Sequence, residues 1–84
     1  MPRRAEGEEW GVREWVRAEM VANVFQIVVG EGQRVAPGDT LLVLESMKME
    51  IPVLAESTGV VAEVAVATGD VVQEGDVLVV LDSR

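Results

Sequence analysis

Residues 16–46, VRAEMVANVFQIVVGEGQRVAPGDTLLVLES, lie without a gap on residues 53–83, VLAESTGVVAEVAVATGDVVQEGDVLVVLDS, at a shift of 37 positions. Thirteen of the 31 pairs are identical. Matching valines alone carry little weight in a chain that holds eighteen of them. Two Gly-Asp pairs in register, Gly38-Asp39 and Gly75-Asp76, are harder to obtain from composition. Both halves are punctuated alike. An apolar run (Val24, Ile27, Val29; or Val61, Val64, Val66) leads to a turn at Gly30-Glu31-Gly32 or Thr68-Gly69-Asp70. A short strand follows at Val35 or Val72, then a tight turn at Ala36–Asp39 or Gln73–Asp76. Pro37-Gly38 suits a type II turn, because proline presets φ and glycine accepts φ > 0. A last strand, Leu41–Glu45 or Val77–Asp82, closes each unit. Units this small cannot bury an apolar face alone. They are expected to pack on each other as a flattened all-β barrel or sandwich with approximate two-fold symmetry.

The repeat also sets apart the segment between its copies. The first copy ends at Ser46 and the second begins at Val53, so Met47–Pro52 is a link. The link and the chain ends are then expected at opposite ends of the molecule. The link holds Lys48, the only lysine in the chain, between Met47 and Met49. A plainer reading exists. Met47, Met49, Ile51 and Val53 alternate with Lys48, Glu50 and Pro52, as in a strand with inward methionines and a solvated lysine. The repeat argues against it, since it places Lys48 at a junction and so on a projecting hairpin tip. Two flexible thioethers there, in a chain that elsewhere prefers valine, suit contacts with changing surfaces.

Composition removes several classes of function. The 84 residues contain no Cys and no His, so no disulfide framework, thiolate metal site or imidazole base is expected, and no metal ligands are assigned. The net charge is −8, and four of the seven basic residues fall within the first 17 positions. The remainder repels phosphate backbones, which excludes nucleic acid as an expected partner and favours a monomer. No apolar run reaches the length of a membrane span, and MPRRAEGEEW has no apolar leader core. A cytoplasmic protein without a membrane partner is expected. Residues 1–15 precede the repeat and are read as a partly disordered extension (disordered over 1–8), with 16–84 as the folded domain. Trp10 and Trp15 in that extension either staple it to the barrel or meet a partner.

The stretch Glu45-Ser46-Met47-Lys48-Met49-Glu50, set between two GD-containing β halves, resembles the biotinyl (biotin/lipoyl attachment) domain family. The likeness covers about residues 16–84. A lone Met-Lys-Met is common; one at the junction of a two-fold repeat is specific. The family's usual text has Ala where this chain has Ser46, a small-for-small change. The resemblance implies two four-stranded antiparallel sheets, a barrel-sandwich hybrid, of the thumbless type because the gapless repeat leaves no room for an inserted thumb. It implies covalent biotin on Lys48, with Met47 and Met49 as the flanking motif and Glu45 as a point of ligase recognition. It also implies the partners: a biotin protein ligase, a biotin carboxylase and a carboxyltransferase acting on an acyl-CoA-type acceptor. The chain itself is then a non-catalytic carrier. Glu50 and Glu56 read as surface charges. Two rivals are a lipoyl carrier, against which the methionine pair argues, and an unmodified interaction module on the same fold.

Overall fold

The computed structural model describes Val12–Ser83, and these residues form eight strands. They are β1 (Val12–Arg17), β2 (Ala22–Ile27), β3 (Arg34–Val35), β4 (Thr40–Ser46), β5 (Met49–Leu54), β6 (Gly59–Val64), β7 (Val71–Val72) and β8 (Val77–Ser83). Adding 37 to the bounds of β1–β4 reproduces those of β5–β8. The repeat in structure therefore reaches back to Val12, four residues before the boundary visible in the sequence. Those four positions, Val12–Trp15, share no residue type with Met49–Pro52, so identity could not reveal them. The expected disorder over residues 1–8, and the role of Trp10, lie outside the described residues.

The strands form two four-stranded antiparallel sheets, ordered β1-β8-β6-β3 and β5-β4-β2-β7. Each sheet takes two strands from each half. The halves thus interlock, where the sequence suggested two separate units stacked face to face. Short units explain this: a four-strand half includes one strand of only two residues, too little to form a sheet alone. Reciprocal backbone bonds stitch the halves together. Gly75 N donates to Ala18 O, and Gly38 N to Ala55 O, both at 2.8 Å.

The identities fall where physics is least tolerant. Val24/Val61, Val35/Val72, Leu41/Leu78, Leu44/Leu81 and Ala18/Ala55 are identical pairs, and every member is buried. Each buried leucine contributes roughly 2–3 kcal/mol by leaving water. The Gly-Asp pairs have a separate cause. Gly38 and Gly75 both sit at φ 93, where an L side chain is strained. The aspartate after each accepts from the first residue of its turn: Ala36 N donates to Asp39 Oδ2 at 2.9 Å and Gln73 N to Asp76 Oδ2 at 2.8 Å. The preceding turns repeat the device, with Ala67 N donating to Asp70 Oδ2 at 2.9 Å and Gly30 N to Gln33 Oε1 at 3.2 Å.

Candidate functional site

β4 and β5 pair from Thr40↔Leu54 to Ser46↔Met49, leaving two residues, Met47 and Lys48, to make the turn. Chain reversal in two residues, with the strands' right-handed twist kept, calls for φ > 0 at both central positions. Met47 has φ 53 and Lys48 φ 66, and they are the only non-glycine residues with positive φ among those described. Asn-Gly would occupy such a turn at little cost; Met-Lys does so under strain of roughly 1–2 kcal/mol per residue.

The turn projects from one end of the fold. Val12 pairs with Ser83 at one end of the first sheet, and β1 finishes at Arg17 away from it. Only residues 18–21 join Arg17 to Ala22, and Asn23 pairs with Glu45, beside the turn. The tip therefore lies opposite the Val12–Ser83 end, as the symmetry required. Met47 is 91% and Met49 64% exposed, and Lys48 is exposed. The alternating reading, with Met47 and Met49 inward, does not describe the structure. Only its deeper members, Ile51 and Val53, are half-buried against the core.

Glu45 is half-buried and pairs directly with exposed Glu50, one step back from the turn. Like charges directly opposite are destabilising. The equivalent positions at the other end are Asp82 and Arg13, also directly paired. There Arg13 Nε donates to Asp82 Oδ1 at 2.8 Å and Nη2 to Oδ2 at 3.1 Å. That hydrogen bonding, with the opposite charge, holds the Asp82 carboxyl below its ordinary range and raises Arg13 above its own. One end of the fold is locked by an ion pair, and its symmetry mate beside Lys48 is left as two carboxylates. Sequence reasoning missed the lock. Extending the 37-residue shift back to Arg13, and so aligning Arg13 with Glu50, is the signal that finds it.

A groove of about 590 Å³ runs between β1 and β5, lined by Trp15, Val16, Met20, Leu44, Ile51 and Leu54 among others. Trp15 is half exposed and pairs with Val80. Glu56 is exposed. No group of three or more His, Cys, Asp or Glu able to hold a metal occurs among the described residues. No helix among them is long and apolar enough to cross a membrane.

The family described as "Biotin-requiring enzyme", the biotin/lipoyl family, matches residues 15–81. The chain belongs to the biotin/lipoyl family. Among curated relatives of this biotin/lipoyl domain is the biotinylated protein TB7.3 homolog of Mycobacterium leprae, 61% identical over 46 residues, which are 55% of this chain and 65% of the relative. The TB7.3 homolog of Mycolicibacterium smegmatis is 68% identical over 40 residues, 48% of this chain and 56% of that one. The matched region thus spans between half and two thirds of these relatives. Among solved structures, a single-chain, multi-domain long-chain acyl-CoA carboxylase superposes with TM-score 0.81 at 32% identity, over 86% of this chain and 7% of the other. The lipoyl domain of the 2-oxoglutarate dehydrogenase complex from Azotobacter vinelandii gives TM-score 0.65 at 31% identity, over 73% and 77% of the two chains. The two-sheet, all-β architecture is that of the biotinyl/lipoyl domain.

Proposed function

We propose that Lys48 carries biotin and that this domain is the carboxyl carrier of a biotin-dependent carboxylase acting on an acyl-CoA-type acceptor. The observation that carries the reading is the Met-Lys-Met turn with φ > 0 at two non-glycine residues. A strained turn persists where its side chains serve a purpose that Asn-Gly would not. The residues present fit biotin. Lys48 offers the only ε-amine of the chain, on an exposed tip held by an antiparallel hairpin, so an acyl group finds no competing lysine, and the α-amine is the one other amine.

An alkylammonium has no lone pair to offer and becomes a nucleophile on losing a proton. On this proposal a biotin protein ligase binds around the tip, reading Met47, Met49 and Glu45. Lys48 Nζ gives up a proton and attacks the acyl carbon of the biotinyl-adenylate, an amide bond forms, and AMP leaves. When bound, the group's ureido ring supplies the site that takes up and yields a carboxyl. The chain's own contribution is reach and aim. The strands hold the attachment point firm while the lysyl arm visits a biotin carboxylase and a carboxyltransferase in turn, at a high effective concentration.

The likeness to a lipoyl domain keeps lipoylation of the same lysine as a second reading. The test is Lys48→Ala, incubated with biotin protein ligase, ATP and biotin beside the parent chain. Streptavidin-reactive product from the parent and none from a folded Lys48→Ala variant is expected. Biotin retained by the variant overturns the site.

A further inference from the structure

Of the chain's four methionines, Met20, Met47 and Met49 lie among the described residues, and residues 53–83 contain none. Under the 37-residue symmetry, Met49 stands where β1 has Val12, and Met20 where the second half has Ser57. β1 therefore begins, at the position equivalent to the start of β5, without needing a thioether there. Met47 and Met49 are also unused by the core. They are 91% and 64% exposed, against 37% for Met20, which lines the β1–β5 groove. Methionine is among the residue types most often buried, so two such side chains flanking one amine are there for an outside surface.

Exposure of this kind has a chemical consequence. Thioethers are oxidised by peroxides to sulfoxides, which are polar and chiral, and reductases reverse the change. We propose that Met47 and Met49 are a peroxide-sensitive pair whose oxidation reversibly uncouples Lys48 from the enzymes that must dock on it. The inference rests on the biotin-carrier reading. In the step itself a sulfur lone pair attacks the O–O bond of hydrogen peroxide. One oxygen becomes bonded to sulfur, the O–O bond breaks, and the other oxygen leaves as water after proton transfer. Sulfur loses two electrons and the peroxide gains them. A dithiol reductase reverses it, removing the oxygen as water while its two thiols become a disulfide. The backbone of the turn is untouched. What changes is the apolar rim of the lysine: two sulfoxide dipoles require hydration, and a partner that packs against thioethers must strip that water without replacing it.

The test treats the unmodified chain with graded hydrogen peroxide, removes the oxidant, and maps sulfoxides by peptide mass. Each sample is then biotinylated with biotin protein ligase and offered to biotin carboxylase with ATP and bicarbonate. Oxidation in the order Met47, Met49, Met20 is expected. A fall of about tenfold or more in biotinylation or in the following carboxylation should track Met47 and Met49, the equivalent of losing one buried methionine's contacts. Methionine sulfoxide reductases should restore it. A Met47→Leu/Met49→Leu variant, compared with its own untreated rate, should not respond to peroxide, whereas Met20→Leu should respond as the parent does. Unchanged rates at both steps with Met47 and Met49 fully oxidised overturn the switch alone. Failure of the untreated parent to accept biotin overturns the carrier reading, and the switch with it.

Discussion

Replacing Met47-Lys48 by Asn-Gly should make the protein more stable. The two residues sit at φ 53 and φ 66. A left-handed conformation costs an ordinary L residue roughly 1–2 kcal/mol. Asparagine tolerates it better, and glycine occupies it freely but loses more backbone entropy on folding, about 0.5–1 kcal/mol. Met47 is 91% exposed and Lys48 is exposed, so little packing is lost. The net gain for Met47→Asn/Lys48→Gly is about 1 kcal/mol, shared between the two positions because glycine's entropy cost offsets about half of the relief at 48. For a domain of this size each kcal/mol raises Tm by roughly 4–8 °C. The assay is reversible thermal and urea unfolding followed by circular dichroism, on unmodified protein. Gly38→Ala serves as the opposite control. It places a side chain at φ 93 with nothing within 4 Å of the new Cβ, so conformational strain alone should lower stability by about 1–2 kcal/mol. If the Asn-Gly turn leaves the midpoint unchanged or lowers it while Gly38→Ala behaves as expected, the turn stores no strain. The argument that the tip is kept strained in order to present Lys48 then fails.

Gly59→Ala should destabilise by about 1–3 kcal/mol, because its Cβ would meet Asp82 O at 2.6 Å, a backbone atom that cannot rotate away. Urea unfolding measures it. Asp82 has a folded pKa below its ordinary 3.8, so the unfolded chain binds the proton more readily. The stability it supplies is present above that value and is lost as pH falls through the lower folded value. Asp82→Asn should therefore flatten the stability curve in that acid range and change its shape little near neutrality. Glu50→Gln relieves the Glu45–Glu50 repulsion and should raise stability by a few tenths of a kcal/mol. The same variant tests whether the carboxylate pair serves a partner, since the biotinylation rate should then fall.

The fold was legible because duplication gives each constraint twice. Gly38-Asp39 and Gly75-Asp76 mark turns whose positive φ the glycine accepts and whose return bond the aspartate receives, and most of the identical Val and Leu positions are buried. β1 was cut short because an exposed edge strand is under little constraint of residue type. Val12, Arg13, Trp15 and Arg17 are exposed, and they match their repeat partners in burial pattern but not in identity. Interlocking of the halves was not legible, since the same alternation serves a strand paired within its half or across it. The place of Lys48 on an exposed turn was legible from position alone: a two-fold repeat has one junction, and the lysine stands in it. Met47 is exposed because it makes the turn with Lys48, and Met49 because it begins β5 beyond the core that Ile51 and Val53, two and four residues on, reach. The Arg13–Asp82 lock, and its absence at Glu50–Glu45, is reached from the sequence only by carrying the 37-residue shift back past Val16, where no identity marks it.

The most direct measurement is peptide-resolved mass spectrometry of the chain recovered from its native host. The account predicts a single biotinyl group, in amide linkage to Lys48, with no adduct elsewhere. A lipoyl group on Lys48 would contradict the carboxyl-carrier role while leaving the presentation of the lysine intact. A biotinyl group at the α-amine, or a chain that stays bare where other biotin proteins of the same cell are loaded, would contradict the central claim outright.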